Sequence, residues 1–260
     1  MMFRRFLQRL SQHQWGAIAT ELTIVIIGVF IGIQVSNWNE ERETNQRADV
    51  FTAHLKDDLR EEDWRYQLTI NYSREVLANA ERALAALDDG APIDGEMLLV
   101  NAYRATQYMN RVRARSTYDE MISTGTIALI RNQALRDTAM RVYNDATIDN
   151  LVREGLESRY REAFRRSVPI QVQRALGRQC GDKVMIARDY TTIRGVLDYP
   201  CKTGLSPQAI DDAVAALRGN PDIVPALRQR IIDLDTRIAN LTITNAQVLN
   251  GLRAIAKEPQ

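Results

Sequence analysis

Histidine is scarce in this chain: 260 residues carry only His13 and His54. Cysteine is equally scarce. Cys180 and Cys201 stand 21 apart, so the close pairing of a structural zinc site is missing. There is no G-x-S-x-G, no H-E-x-x-H, no Walker loop and no dinucleotide-binding glycine fingerprint. Carboxylates such as Asp57, Asp58, Glu61, Glu62 and Asp63 are plentiful, but no E-x-x-H accompanies them as a di-metal bundle would require. They read as a solvated helix face. The expectation is a protein that is not an enzyme and holds no metal or other cofactor. A basic excess is lacking too. The 34 Lys and Arg offset 33 Asp and Glu, which gives no reason to expect a nucleic-acid partner. With 7 prolines and 13 glycines, the chain favours long helices over many short strands.

What is present is one long hydrophobic run. Residues 17–35 hold 19 residues with Glu21 as the only charge, about 28 Å of helix and close to the thickness of a bilayer core. A buried core helix of this length would carry a polar face, and this run has none. A cleaved signal peptide would have a shorter apolar region and a small-residue cleavage site. Here the run ends in Gln34, Val35, Ser36, Asn37 and Trp38. The reading is an uncleaved signal anchor crossing the lipid bilayer, bracketed by Trp15 and Trp38 at the two interfaces. Arg4, Arg5 and Arg9 precede the run, and Arg42 and Arg47 follow it. The positive-inside rule then places the N-terminus in the cytoplasm. Glu21, Gly28 and Gly32 share one stripe of the span. Gly28 and Gly32 form a G-x-x-x-G, a spacing that lets two helices approach closely in lipid. That stripe is the expected span interface. Glu21 has a second reading, a carboxylate one turn inside the boundary that reaches toward the headgroups.

The segment IGVFIGIQVSNWNEER, residues 27–42, resembles the anchor of an uncharacterised family of bacterial single-pass membrane proteins. That anchor reads Glu, an aliphatic run, then I-G-x-x-I-[AG]-x-Q-x-x-N-W-N-E. Gln34, Asn37, Trp38, Asn39 and Glu40 carry the match. A second match lies in TYDEMISTGTIALIRNQALR, residues 117–136, with Met121 where the family usually has Leu. The resemblance implies a bacterial inner-membrane location and a single-span architecture. The family lends no activity.

The fold class expected is all-α: a single N-terminal transmembrane helix, then a long-helix bundle, with a small irregular segment around 179–205. The divisions are a basic cytoplasmic tail at 1–15, the anchor at 16–36 and a periplasmic bundle at 37–260, with a membrane-proximal stalk at 37–50. In the tail, Phe3, Phe6, Leu7 and Leu10 suggest a short interfacial helix. From Asn37 no Pro or Gly appears until Gly90, and Leu55, Leu59, Tyr66, Ile70, Leu77, Leu84 and Leu87 recur at helical steps. One long amphipathic helix follows. Asp94 caps a second helix running to about Asn110. Arg111, Arg113 and Arg115 come next, either a candidate anion site or an ion-paired run. Thr117 and Glu120 read as a capping box, Gly125 as a helix stop, and Asn132 as the cap of one long helix through about Ser167. Residues 170–178 read as one or two more helical turns. Residues 179–205 are short strands or loop.

Ser206 and Pro207 start another helix, which ends near Gly219. From Pro221 a last helix reaches about Lys257. Its seam is Val224, Leu227, Ile231, Leu234, Ile238, Leu241, Asn245, Val248, Leu252 and Ile255. Two readings stand: packing on the chain's own first long helix, with Asn245 facing a group such as Ser73, or an intermolecular coiled coil. Cys180 and Cys201 form a disulfide if the body is periplasmic, and are buried free thiols if the orientation is reversed. The function expected is a membrane-anchored interaction or scaffold protein, a homo-oligomer or part of an envelope complex. The alternative is a ligand-binding or sensory module that signals through a partner.

Overall fold

The computed structural model describes residues 3–109 and 113–258, with side chains at 16, 19–109 and 113–258. Among the described residues there are helices, turns and irregular segments but no strand.

The first helix, α1, runs from Phe3 to Leu87, 85 residues without a break. The tail therefore does not form a separate interfacial helix; its backbone from Phe3 onward is already α1, and its side chains lie outside the described residues. The first proline comes only after α1 has ended, at Pro92, and Gly90 turns the chain at φ +68. That left-handed conformation suits glycine.

Helix α2, Gly95–Ala105, is capped by Asp94, whose carboxylate accepts the Met97 N–H at 3.2 Å. It stops five residues short of the expected end. Helix α3 spans Ser116–Ser123 and has no side-chain cap. Thr117 lies inside its first turn, so the expected capping box does not form. Gly125, at φ +71, ends that segment, and a 3₁₀ turn at Thr126–Leu129 leads to the buried Ile130.

The long helix expected from Asn132 to Ser167 is three helices. Asn132 does cap the first, α4 (Gln133–Asn144), accepting the Leu135 N–H at 3.0 Å. Asp145 then breaks it by accepting the Thr147 N–H at 2.9 Å, and α5 is Thr147–Leu156. Ser158 caps α6, Arg159–Ser167. Side chains that bond their own backbone compete with helix continuation. Helix α7 is Ile170–Cys180, longer than the turns expected there. Helix α8, Pro207–Gly219, has Ser206 as its cap and Pro207 in its first turn, as read from the sequence.

Helix α9 (Ile223–Ala239) and α10 (Ala246–Lys257) are separated by a π-turn at Asn240–Thr244. Together they run antiparallel to α1. Arg228 pairs with Asp88, the Tyr66 hydroxyl donates to Leu241 O at 3.0 Å, and Lys56 pairs with Glu258 at 2.6 Å. The seam keeps Leu227, Leu234, Leu241, Val248, Leu252 and Ile255 as expected and corrects the rest. The innermost residues of α9 are Ile223, Leu227, Arg230, Leu234 and Arg237; Val224, Ile231 and Ile238 are half-buried. The π-turn adds a residue to the ladder, with the Asn245 N–H on Asn240 O, and α10 then buries Val248, Leu249, Leu252 and Ile255. Asn245 itself is half-buried and donates to Thr147 Oγ1 at 3.0 Å, not to Ser73.

Two apolar cores share α1. Leu55, Leu59, Tyr66 and Ile70 pack with α3, α4, α5 and α10. Trp64, Leu68, Tyr72, Val76, Ala80 and Ala83 pack with α2, α6, α7, α8 and α9.

Candidate functional site

The apolar segment of α1 is uncovered. It is the one helix among the described residues long and apolar enough to cross a membrane, and none of its most apolar window is buried. Ile24, Phe30 and Val35 are each more than half exposed. A core helix would be covered by its own chain, so that reading is excluded. Uncovered apolar surface on this scale needs another apolar environment. The hydroxyls in the run are satisfied within the helix: Thr20 donates to Gly16 O at 2.8 Å and Thr23 to Ala19 O at 2.7 Å. Helix in lipid must meet its polar groups this way.

Glu21, Gly28 and Gly32 lie on this exposed segment, and a Cβ added at either glycine would meet nothing within 4 Å. Gln34, Asn37, Trp38, Asn39 and Glu40 are exposed on the turns that follow. The stalk stays bare through Thr44. Asn45 then accepts from Arg131, and Ala48 is the first buried residue of the body. From Asn37 to Thr44 is about 12 Å of helix. The body therefore begins close above the end of the apolar run, on the same rigid rod.

Of the arginine run, Arg111 lies outside the described residues. Arg113 is buried and points inward. Its Nη1 donates to Asp145 O at 3.0 Å and its Nη2 to Val142 O, with Glu62 at 3.9 Å and Asp149 at 3.7 Å. Arg115 binds both oxygens of Asp119, at 2.9 and 3.0 Å. The structure gives each of these two arginines its own partners. Arg113 serves as a tie between α1 and the α4–α5 corner.

Cys180 and Cys201 are joined as a disulfide, with Cα atoms 5.6 Å apart. The segment between them is irregular, as expected, with no strand, and side chains of other elements capture its backbone. Glu75 of α1 accepts the N–H groups of Gly195, Leu197 and Asp198 at 2.6, 2.7 and 3.0 Å. Arg104 of α2 is almost fully buried and donates to Cys180 O at 3.1 Å and Tyr199 O at 2.9 Å. Burial pulls its pKa down, while Tyr199 and Asp198 act to raise it. Trp64 Nε1 donates to Asp189 O at 3.0 Å, and the Tyr190 hydroxyl to Asp63 at 2.5 Å. Burial raises the Asp63 pKa, and hydrogen bonds from Tyr190 and Gln67 offset part of that. The strap thus fastens α7 to the middle of α1. Among the described residues, no three His, Cys, Asp or Glu side chains group in a way that could hold a metal ion.

The sequence reading missed the buried arginines Arg104, Arg230 and Arg237. The latter two hide in a helix whose neighbouring isoleucines offer a more obvious seam.

A helical body built on the continuation of one candidate membrane-crossing helix is the class of protein these features define. Residues 21–156, just over half of the chain, match the profile of DUF6090, a family of unknown function, and the chain belongs to that family. The match starts at Glu21 and ends at the last residue of α5, so α6 to α10 lie outside it. No curated protein and no solved structure matches the chain.

Proposed function

We propose that this chain is a single-pass interaction protein of the bacterial inner membrane. Its N-terminus is cytoplasmic and its helical body periplasmic. There it scaffolds a complex, either with copies of itself or with envelope partners. The observation that carries this reading is the continuity of α1. One helix holds both the uncovered apolar run and the spine on which both cores are built. A partner bound to the body is thereby held at a fixed height and orientation over the membrane. The disulfide supports an oxidising compartment for the body. The exposed Glu21, Gly28 and Gly32 stripe supports association within the bilayer. The role is binding rather than catalysis, with no cofactor and no nucleic acid.

Crosslinking in native membranes followed by pull-down tests it. The full-length chain should capture itself or an envelope protein, and Gly28→Ile or Gly32→Ile should weaken self-capture while Ile33→Val does not. Recovery of the chain alone and uncrosslinked, at every crosslinker position on the span and body, would overturn the scaffold role.

A further inference from the structure

An open cleft of about 360 Å³ lies between α9 and the corner where α5 meets α6. Its wall carries three guanidinium groups, Arg159, Arg230 and Arg237, and three carboxylates, Glu154, Glu157 and Asp233.

Arg230 is the unusual member. It occupies an innermost position of the α9 seam and is 3% exposed. Its Nε donates to Ala105 O at 3.3 Å and its Nη2 to Gln107 O at 2.8 Å, so two backbone carbonyls at the end of α2 hold it in place. No carboxylate forms an ion pair with it. Nη1 makes no hydrogen bond, and Arg230 is one of the residues that line the cleft. A buried cation whose carboxylate neighbours lie beyond ion-pair distance is costly unless something brings negative charge closer. Burial first, and then the nearby Arg237, bring its pKa down to about 10, while Asp233 and Glu154 act to raise it.

Arg237 stands two turns further along α9 and is also buried. Its Nε and Nη2 both reach one oxygen, Glu154 Oε2, at 3.2 and 2.7 Å, leaving the other oxygen of that half-exposed carboxylate open. The N-terminus of α6 contributes Ser158 and Arg159 to the same wall, and helix N-termini favour negative charge.

The rim opposes a purely anionic guest. Asp233 and Glu157 are exposed and form no ion pair. With three positive and three negative groups around one cleft, a dianion meets repulsion at the rim and a cation meets it at Arg230. A neutral molecule with separated charges satisfies both. We propose that this cleft binds a small zwitterion of the amino-acid or short-peptide class, its carboxylate on Arg230 Nη1 and its ammonium group toward Asp233 and Glu157. The volume falls in the usual range for small-molecule sites. The proposal stands independently of the membrane topology and the scaffold role.

The test is a titration of the full-length protein in nanodiscs with the common amino acids and a set of dipeptides, read by calorimetry and by melting temperature. At least one should bind saturably and raise the melting temperature. Its N-acetyl and C-amide derivatives should bind about tenfold more weakly or worse. Orthophosphate should not compete. Asp233→Asn and Glu157→Gln sit on the exposed rim and should weaken binding without moving the melting temperature of the free protein. Arg230→Lys should abolish it. The proposal fails if nothing in the set binds below about 10 mM, a level too weak to count as a site. It fails equally if the capped derivatives bind as well as the parent, or if phosphate binds better. Unchanged binding in the rim variants would also overturn it.

Discussion

Lys56 on α1 and Glu258, just past the end of α10, form an ion pair at 2.6 Å across 202 residues of sequence. The pair is partly exposed and contributes little by itself. Its meaning is topological. The last two helices return along α1, and the end of α10 comes back to the half of the body nearest the apolar run. The α9–α10 seam is thereby filled from within the same chain.

If that fold-back is intramolecular, Leu252→Ala should destabilise a monomeric fragment 48–260. Leu252 is fully buried against α1, and removing its side chain should cost about 2–5 kcal/mol. Chemical denaturation at several protein concentrations checks this. A midpoint that rises with concentration would instead make the helix an intermolecular coil.

Asn245→Leu should destabilise the fold by about 1 kcal/mol. An apolar residue at a polar seam position would ordinarily stabilise. Asn245, however, closes the π-turn and bonds Thr147 Oγ1 at 3.0 Å. A double-mutant cycle with Thr147→Val isolates the contact. Additive losses would show that the two side chains do not interact.

Gly155→Ala tests packing against helix propensity. Within α5 the substitution alone should help, since alanine favours helix by about 1 kcal/mol. A Cβ there would run into Cγ and Cβ of Tyr108, near the root of the side chain where it cannot swing aside. Tyr108 also carries the guanidinium of Arg161 over its ring, 4.8 Å from the centroid. The predicted result is a net loss of about 1–3 kcal/mol in thermal or chemical melts. A net gain would mean that Tyr108 packs more loosely on α5 than this contact implies.

Asp63 gives a pH dependence. Burial raises its carboxyl pKa above the unfolded value, so the folded state holds the proton more tightly. Stability from this group therefore falls as pH rises from the ordinary aspartate range through the raised folded pKa, and the charged form is penalised above it. Asp63→Asn keeps an acceptor for Tyr190 and removes the charge. It should stabilise the protein at neutral pH, with the difference shrinking as pH drops toward about 4. A variant less stable at neutral pH, by a margin that shrinks on acidification, would reverse the sign and refute the assignment.

Much of the architecture was legible in the residues, and the failures share a cause. Asp94, Asn132 and Ser206 cap helices as read, because a cap depends on three or four neighbouring residues. Gly90 and Gly125 stop segments for the same local reason. The breaks at Asp145 and Ser158 use equally local bonds, but both residues sit in a run whose apolar spacing stays helical. In the seam of α9, Leu227 and Leu234 are innermost as read, but the other stripe was misread by one position. Val224, Ile231 and Ile238 form as good a heptad as the true one, and nothing local says that Arg230 and Arg237 find carbonyls or a carboxylate inside. Burial of a charge depends on partners 83 to 125 residues away. That is also why the zwitterion cleft leaves no mark in the sequence, whereas the anchor, a single uninterrupted stretch, does.

The central claim is that α1 crosses the membrane and holds the body on the far side. Fusing alkaline phosphatase and, separately, a fluorescent protein that matures only in the cytoplasm to the C-terminus of the full chain tests it directly. The account predicts phosphatase activity and no fluorescence, with both fusions in the membrane fraction. Fluorescence without phosphatase activity, or fusions that fractionate as soluble proteins, would contradict it.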